Sequence, residues 1–240
     1  MATRIPRSPR RTQALSRERI IEAAVEVLDT AGEDGLTFRV LTERLATGPG
    51  AIYWHVANKG ELLSAATDTL VAAALAGASA ESAEPPGRPP RDEIRAVALG
   101  LHDAVAEHPW LATQLARSAW GSVTPRILEA VGRQIRALGV PEGGWFTAAS
   151  VLVHYILGAA GQNAANAAQV RTLGPGVSRA EVLGAVAEAW ERLDPDDYPF
   201  TRALAGQAVE HDDREQFLAG IDLLLAGISG MPGTSGTAVR

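Results

Sequence analysis

Apolar residues recur along this chain at intervals of three and four, the spacing that lines one face of an α-helix. Ile20, Ala24, Val27, Leu28 and Ala31 form the first such stripe. Ser16 stands before it as a cap, Glu18 and Glu22 lie near its positive end, and Gly32 and Gly35 close it. A helix is therefore predicted from Arg17 to about Ala31. A shorter pattern follows, in which Thr37 can cap and Val40, Leu41 and Leu45 face a core; Thr47 or Gly48 ends it. Pro49, whose fixed φ suits a first helical position, opens a third helix that turns Ile52 and Val56 inward. Pro49, Gly50, Ala51, Tyr53 and Trp54 are left for an outer face. Helices this short hold only when braced by neighbours, so the pattern predicts a compact helix-turn-helix. Asn58 with Glu61 three residues on resembles a capping box and starts a fourth helix, to about Ala76.

Beyond it, Gly77 to Arg91 is proline-rich and polar and reads as a surface linker. Helical spacing then returns. Ile94, Val97, Ala98, Leu101 and Val105 mark one helix ended at Pro109, and Leu111–Ala119 and Pro125–Leu138 read as two more. Gly143 to Ala168 is hydrophobic nearly all round and is expected to lie deep. Arg171 to Ser178 contains Gly-Pro-Gly and reads as a loop. Val182, Val186, Trp190 and Leu193 mark another helix, broken over Asp194 to Pro199, and Phe217, Ile221, Leu224, Leu225 and Ile228 mark the last. The predicted fold class is all-α. Residues 1–15 form a disordered basic arm and 16–62 a helix-turn-helix domain. Residues 63–228 form a larger helical domain, and 229–240 a flexible tail.

Composition supports this picture. The chain has 240 residues, 46% of them hydrophobic and only 5% aromatic. Abundant alanine with few aromatics favours packed helices over a β-sandwich. Without cysteine, neither a disulfide scaffold nor a thiolate metal site is possible. No secretion signal is read at the N-terminus, and the longest apolar stretch, Ala148–Gly161, is too short to span a bilayer. The expectation is a cytoplasmic protein.

The net charge of −6 conceals an asymmetry. Residues 1–60 hold nine Lys/Arg against seven Asp/Glu, whereas residues 61–240 hold thirteen against twenty-one. Arg4, Arg7, Arg10, Arg11 and Arg17 precede the first acidic residue, Glu18. A basic end beside a helix-turn-helix points to nucleic acid, with the arm along the phosphates or in a minor groove.

Gly35-Leu36-Thr37, Arg39, Leu45, Ile52-Tyr53-Trp54-His55-Val56, Asn58-Lys59 and Glu61-Leu62-Leu63 resemble the signature of the TetR family of bacterial transcriptional repressors. Tyr-Trp-His followed by Asn-Lys is closer to its tetracycline-repressor branch. His108-Pro109-Trp110-Leu111-Ala112, Tyr155-Ile156-Leu157-Gly158 and Phe217 through Leu224 are similar to the C-terminal domain of that branch. The resemblance implies an all-helical homodimer that binds a palindromic double-stranded DNA operator and releases it when a small-molecule effector binds.

Within the third helix, Pro49, Gly50 and Ala51 cannot form a bidentate hydrogen bond to a base, though Pro49 and Ala51 can touch a thymine methyl. Arg39 is the best polar reader, since its fork matches O6 and N7 of guanine, and the resemblance implies a base-contacting arginine here. The alternative is a phosphate-bound or surface arginine. Thr37, Tyr53, His55 and Lys59, the only lysine in the chain, are candidate phosphate anchors. Trp54 either meets a sugar edge or packs inside the domain, the commoner fate of tryptophan. His55 is equally open to a packing role.

Candidate ligand-binding residues are His102, Trp110, Gln114, Trp120, His154 and Asn163, with Trp145, Tyr155 and Asn166 as further members: polar or aromatic groups among apolar helices. For each, core packing is the alternative. The expected effector is apolar or aromatic rather than tetracycline. Candidate dimer surfaces are Val151–Ala168, where Gly158 and Gly161 permit close approach, and the stripe Phe217–Ile228; both could instead fill the protomer core. No cofactor, metal site or membrane partner is expected. No His-Glu-x-x-His pair, phosphate loop or nucleophile elbow occurs, so an enzyme is not expected. An architectural DNA-binding protein without an effector is the alternative, disfavoured by the acidic larger part.

Overall fold

The computed structural model describes residues 15–80, 87–117, 123–174 and 176–230, and all regular structure among them is helical. The chain divides into two compact units, Met1–Ala66 and Thr67–Arg240. The basic arm before Leu15 and the tail after Gly230 lie outside the described residues.

The first unit contains α1 (Arg17–Gly35), α2 (Phe38–Leu45), α3 (Pro49–Tyr53) and the start of α4 (Lys59–Ala80). Ser16 and Thr37 cap α1 and α2 as the sequence predicts, accepting from the N–H groups of Arg19 and Val40. Gly32, at φ +66°, breaks the helical path inside α1. Ile20, Ala24, Leu28, Leu36, Leu41, Ile52, Val56 and Leu62 form the core. Ala31 is exposed, contrary to expectation, because the backbone leaves the helical path at the next residue; Ile21 and Ala23 are buried instead. The end of α2 also differs. Ala46, not Thr47 or Gly48, turns the chain, adopting a left-handed φ of 50° while Thr47 donates to the Thr42 carbonyl. That conformation crowds a Cβ, so the turn is strained.

Asn58 begins α4 as expected, its Oδ1 accepting from Glu61 N–H at 2.9 Å. The Glu61 carboxylate reaches back to Ala57 N–H, one residue earlier than the reciprocal bond of a capping box. α4 continues to Ala80, four residues past the expected end.

In the second unit α5 (Pro90–Glu107), α6 (Trp110–Arg117), α7 (Val123–Ala137) and α8 (Trp145–Thr172) are followed by α9 (Arg179–Glu191). Two short helices, α10 (Pro199–Ala203) and α11 (Ala205–Val209), then lead to α12 (Asp213–Ser229). Arg91, placed in the expected linker, lies inside α5 because Pro90 can occupy the first helical position. Arg171 is likewise in the last turn of α8 rather than in the loop. α10 and α11 escaped the periodicity because their only fully buried residue is Ala205.

Six helices supply the core, α4 through Val71 and α5 to α8 and α12 through its large closed side chains Ile94, Leu101, Leu111, Ile127, Ile135, Leu152, Phe217 and Ile221. The Phe217–Ile228 stripe thus serves the protomer core, with Leu224 partly buried. α8 is not buried all round: Phe146 is 73% and Val151 40% exposed. Gly158 faces open space, whereas Gly161 looks toward Ala112 of α6. The segments Lys59–Ala78 and Glu142–Thr172 are long and apolar enough to cross a bilayer by length and composition alone, beyond what the run Ala148–Gly161 suggested. Their apolarity comes largely from alanine, and Val71, Leu152 and Ile156 on these helices pack into the core.

Candidate nucleic-acid interface and ligand cavities

Residues Phe38 to Trp54 build the candidate reading surface. α3 is only five residues long and has no side-chain cap; Pro49 presets its first turn. Ile52 anchors it in the core, and Tyr53 stacks on Phe38 of α2 at 4.6 Å between ring centroids. This stack holds the two helices together while leaving Tyr53 half exposed. Pro49 and Gly50 are exposed and Ala51 is half-buried, as an outer face requires. Trp54 is 90% exposed. It does not pack inside the unit, because Ile52 and Val56 on either side already fill the core.

Arg39 projects into solvent from α2, with 88% of its side chain exposed and Nε on the Glu43 carboxylate at 3.0 Å. A pair this exposed is weak and gives way readily to another acceptor. Thr37, exposed, spends its hydroxyl on the α2 cap. His55 is half-buried. The Lys59 ammonium donates to the Glu33 carbonyl, tying the end of α1 to the start of α4, an internal role that the sequence did not reveal. Arg44 pairs with Glu26, and Arg17 with Glu61 at 3.4 Å. The Glu61 carboxyl is held below its ordinary value by the Ala57 N–H and then by Arg17; Glu18 is lowered by its own backbone N–H and the Ser16 hydroxyl.

Three regions of the second unit concern the ligand candidates. A cavity of about 400 Å³ between α6, α7 and α8 has an apolar wall that includes Leu115, Ile127, Phe146, Val153 and Leu157. Thr124, Ser150 and His154 are its polar members, and among the described residues neither Asp, Glu, Lys nor Arg lines it. Of the candidates read from the sequence, His154 is the one that lies there among the described residues. His102 and Asn163 come together elsewhere, with Asn163 Nδ2 3.4 Å from His102 Nε2, beside a cavity of about 130 Å³. His102 is buried, faces Phe217 at 4.7 Å and places Nδ1 3.1 Å from Asp103. Asn166 borders a third cavity, of about 430 Å³.

The other described candidates line none of these three. Trp110 is half-buried against the core, 6.3 Å from the His108 ring, and Gln114 is buried. Trp145 donates to the Val140 carbonyl at 2.7 Å, and Arg136 lies over its ring. Tyr155 donates to the Phe217 carbonyl at 3.2 Å, and burial raises its hydroxyl pKa above the ordinary value. Trp120 lies outside the described residues. Phe146, Ser150, Val153 and Leu157 were missed, although their helical spacing was visible; reading α8 as uniformly buried concealed the face they share. Among the described residues no cluster of three or more His, Asp or Glu is placed to hold a metal ion.

A braced short helix with an exposed outer face, in a unit built from four helices, defines a helix-turn-helix protein. Residues 20–66 match the model of bacterial regulatory proteins of the tetR family, and residues 86–231 match the tetracyclin repressor-like C-terminal domain. The chain belongs to the TetR family, a family of DNA-binding transcriptional regulators. It is 61% identical to the transcriptional regulator SCO7222, a TetR protein of Streptomyces coelicolor. That match covers 90% of this chain and 98% of the other, with a TM-score of 0.80. BioQ of Mycobacterium smegmatis is 26% identical, with 90% and 98% covered and a TM-score of 0.62; BioQ has also been solved with its double-stranded DNA operator. An HTH-type transcriptional regulator of Saccharopolyspora erythraea is 28% identical over 155 residues, spanning 64% of this chain and 63% of that protein.

Proposed function

We propose that this chain is a homodimeric repressor that binds a palindromic operator and is released by an uncharged apolar or aromatic effector. The observation that carries the effector is the 400 Å³ cavity, whose lining among the described residues offers apolar surface and three hydrogen-bonding side chains but no formal charge. Such a lining favours neutral ligands, because a buried charge would find no partner.

On DNA, Arg39 reads a guanine edge, Pro49 and Ala51 meet thymine methyls, and Gly50 permits close backbone approach. Thr37, Tyr53, Trp54, His55 and Lys59 position the duplex through phosphate and sugar. The protomers meet through α8 and α12. Thr147, Val151, His154, Gly158, Gln162 and Ala165 form an exposed stripe on α8, and Ala219, Leu223 and Ala226 one on α12. Two such helices from each protomer make a four-helix interface. His154 belongs both to the α8 stripe and to the cavity wall. An effector there bears directly on the dimer surface, favouring an arrangement whose reading helices no longer match successive major grooves.

The test is selection of bound sequences from random duplexes, followed by titration of neutral aromatic compounds against the selected complex. A palindromic site released by at least one compound, with release lost in Val153→Trp, is the expected result. No preferred duplex at low salt overturns the operator reading. A complex that no compound dissociates favours the effector-free alternative.

A further inference from the structure

Two further cavities of the second unit share a wall. The smaller, about 130 Å³, is lined by His102, Asn163, Arg171 and Asp213 among small residues. The larger, about 430 Å³, has Val170, Leu173, Val182, Leu183 and Val186 as its apolar side. Ala167 and Asp213 line both. We propose that together they form a second binding site, for an amphipathic carboxylate whose head lies at Arg171 and whose apolar body lies between α8 and α9.

Charge on the polar side favours an anion. The Asp213 carboxylate is already compensated by Arg179 at 2.7 Å and approached by His211 at 2.8 Å. Asp103 is engaged by Arg214 at 3.0 Å and by His102. Asn163 donates to His102 Nε2 and to the Asp213 carbonyl, each at 3.4 Å, so the polar groups on the floor of the chamber are already partnered. Arg171 differs. Among the described residues its guanidinium has no hydrogen-bonding or ionic partner, leaving one uncompensated positive charge on this lining. An arginine fork is well suited to a carboxylate.

The apolar side is equally unfinished. α9 has a single fully buried residue, Ala187, while Val182, Leu183 and Val186 are only half covered and Leu173 is 54% exposed. Covering that surface with a hydrocarbon or aromatic body removes it from water, the driving force that a short polar acid would lack. The site differs chemically from the charge-free cavity between α6, α7 and α8.

Calorimetric titration of the full chain without DNA, using decanoate and its uncharged counterpart decanol below their aggregation concentrations, tests the proposal. Decanoate is expected to bind, and Arg171→Gln to weaken it about tenfold while changing decanol less than about twofold. Leu183→Trp, which fills the apolar chamber, abolishes decanoate binding; Val153→Trp, in the other cavity, leaves it unchanged. A melting curve checks that Leu183→Trp is folded, and the exposed Arg171 variant decides the question independently of it. Absence of decanoate binding, indifference to Arg171→Gln, or loss through Val153→Trp overturns the site. Because DNA is absent from the assay, the outcome is separate from that of the operator test.

Discussion

Gly220→Ala should expose how tightly α12 sits on α8. A Cβ at Gly220 would stand 1.9 Å from Tyr155 Oη, 2.3 Å from Cζ and 3.0 Å from Cε2. No small adjustment relieves three overlaps on one rigid ring, so Tyr155 must swing away. It then gives up its hydroxyl bond to the Phe217 carbonyl at 3.2 Å and its stack on the Phe217 ring at 5.8 Å. Overpacking costs about 1–3 kcal/mol and the lost hydrogen bond about 1 kcal/mol. The helix preference of alanine over glycine returns about 1 kcal/mol. The net loss is about 2 kcal/mol, or roughly 4–8 °C in Tm for a unit of this size. In a Tyr155→Ala background the obstruction is gone, and the same substitution should stabilise by up to about 1 kcal/mol. Urea unfolding of the four chains measures the cycle. A neutral Gly220→Ala, or a loss that persists without the Tyr155 ring, refutes the steric reasoning.

Leu223→Arg, at a position 76% exposed, should leave protomer unfolding within about 0.5 kcal/mol but convert the proposed dimer to a monomer in light scattering; a persisting dimer rejects the α12 face. Arg39→Ala should relax the choice of one guanine by about 1–3 kcal/mol in competition binding, and unchanged sequence preference would exclude base contact. Ala46→Gly relieves the left-handed alanine and should raise stability by up to about 1 kcal/mol in thermal unfolding; a lower Tm contradicts that account. Glu18, Glu61 and Glu181 are depressed below 4.5, and Asp212 below 3.8, chiefly by backbone N–H groups at helix starts. Their stabilisation is complete above those ordinary values and is lost as pH falls through the depressed ones. Denaturant midpoints should therefore drop on acidification below pH 4.5, and less steeply in Glu61→Gln.

Most of the local structure of the candidate reading surface was legible because a helix-turn-helix is local. Thr37 as a cap, Pro49 at a helix start and Ile52 and Val56 as inward residues are separated by less than twenty positions, and each follows from chemistry within a turn or two. Lys59 was not, because its partner is a carbonyl 26 residues earlier, at the far end of another helix. The same distance effect explains the ligand candidates. Polar residues on apolar helices were visible one at a time, but whether they share a chamber depends on how helices cross. His102 and Asn163 meet across 61 positions, whereas His154, only nine positions before Asn163, lines a different cavity.

The sequence by itself determined the helical class, the caps and most of the inward stripes, since helix period and end chemistry act within a few residues. It also carried the family, through motifs that lie close together in the reading unit. Only tertiary packing decided which apolar face of α8 is enclosed and which is left for another surface. An apolar side chain has the same tendency to leave water wherever it stands, and only the arrangement of neighbouring helices settles whether this chain, a second protomer or a ligand covers it.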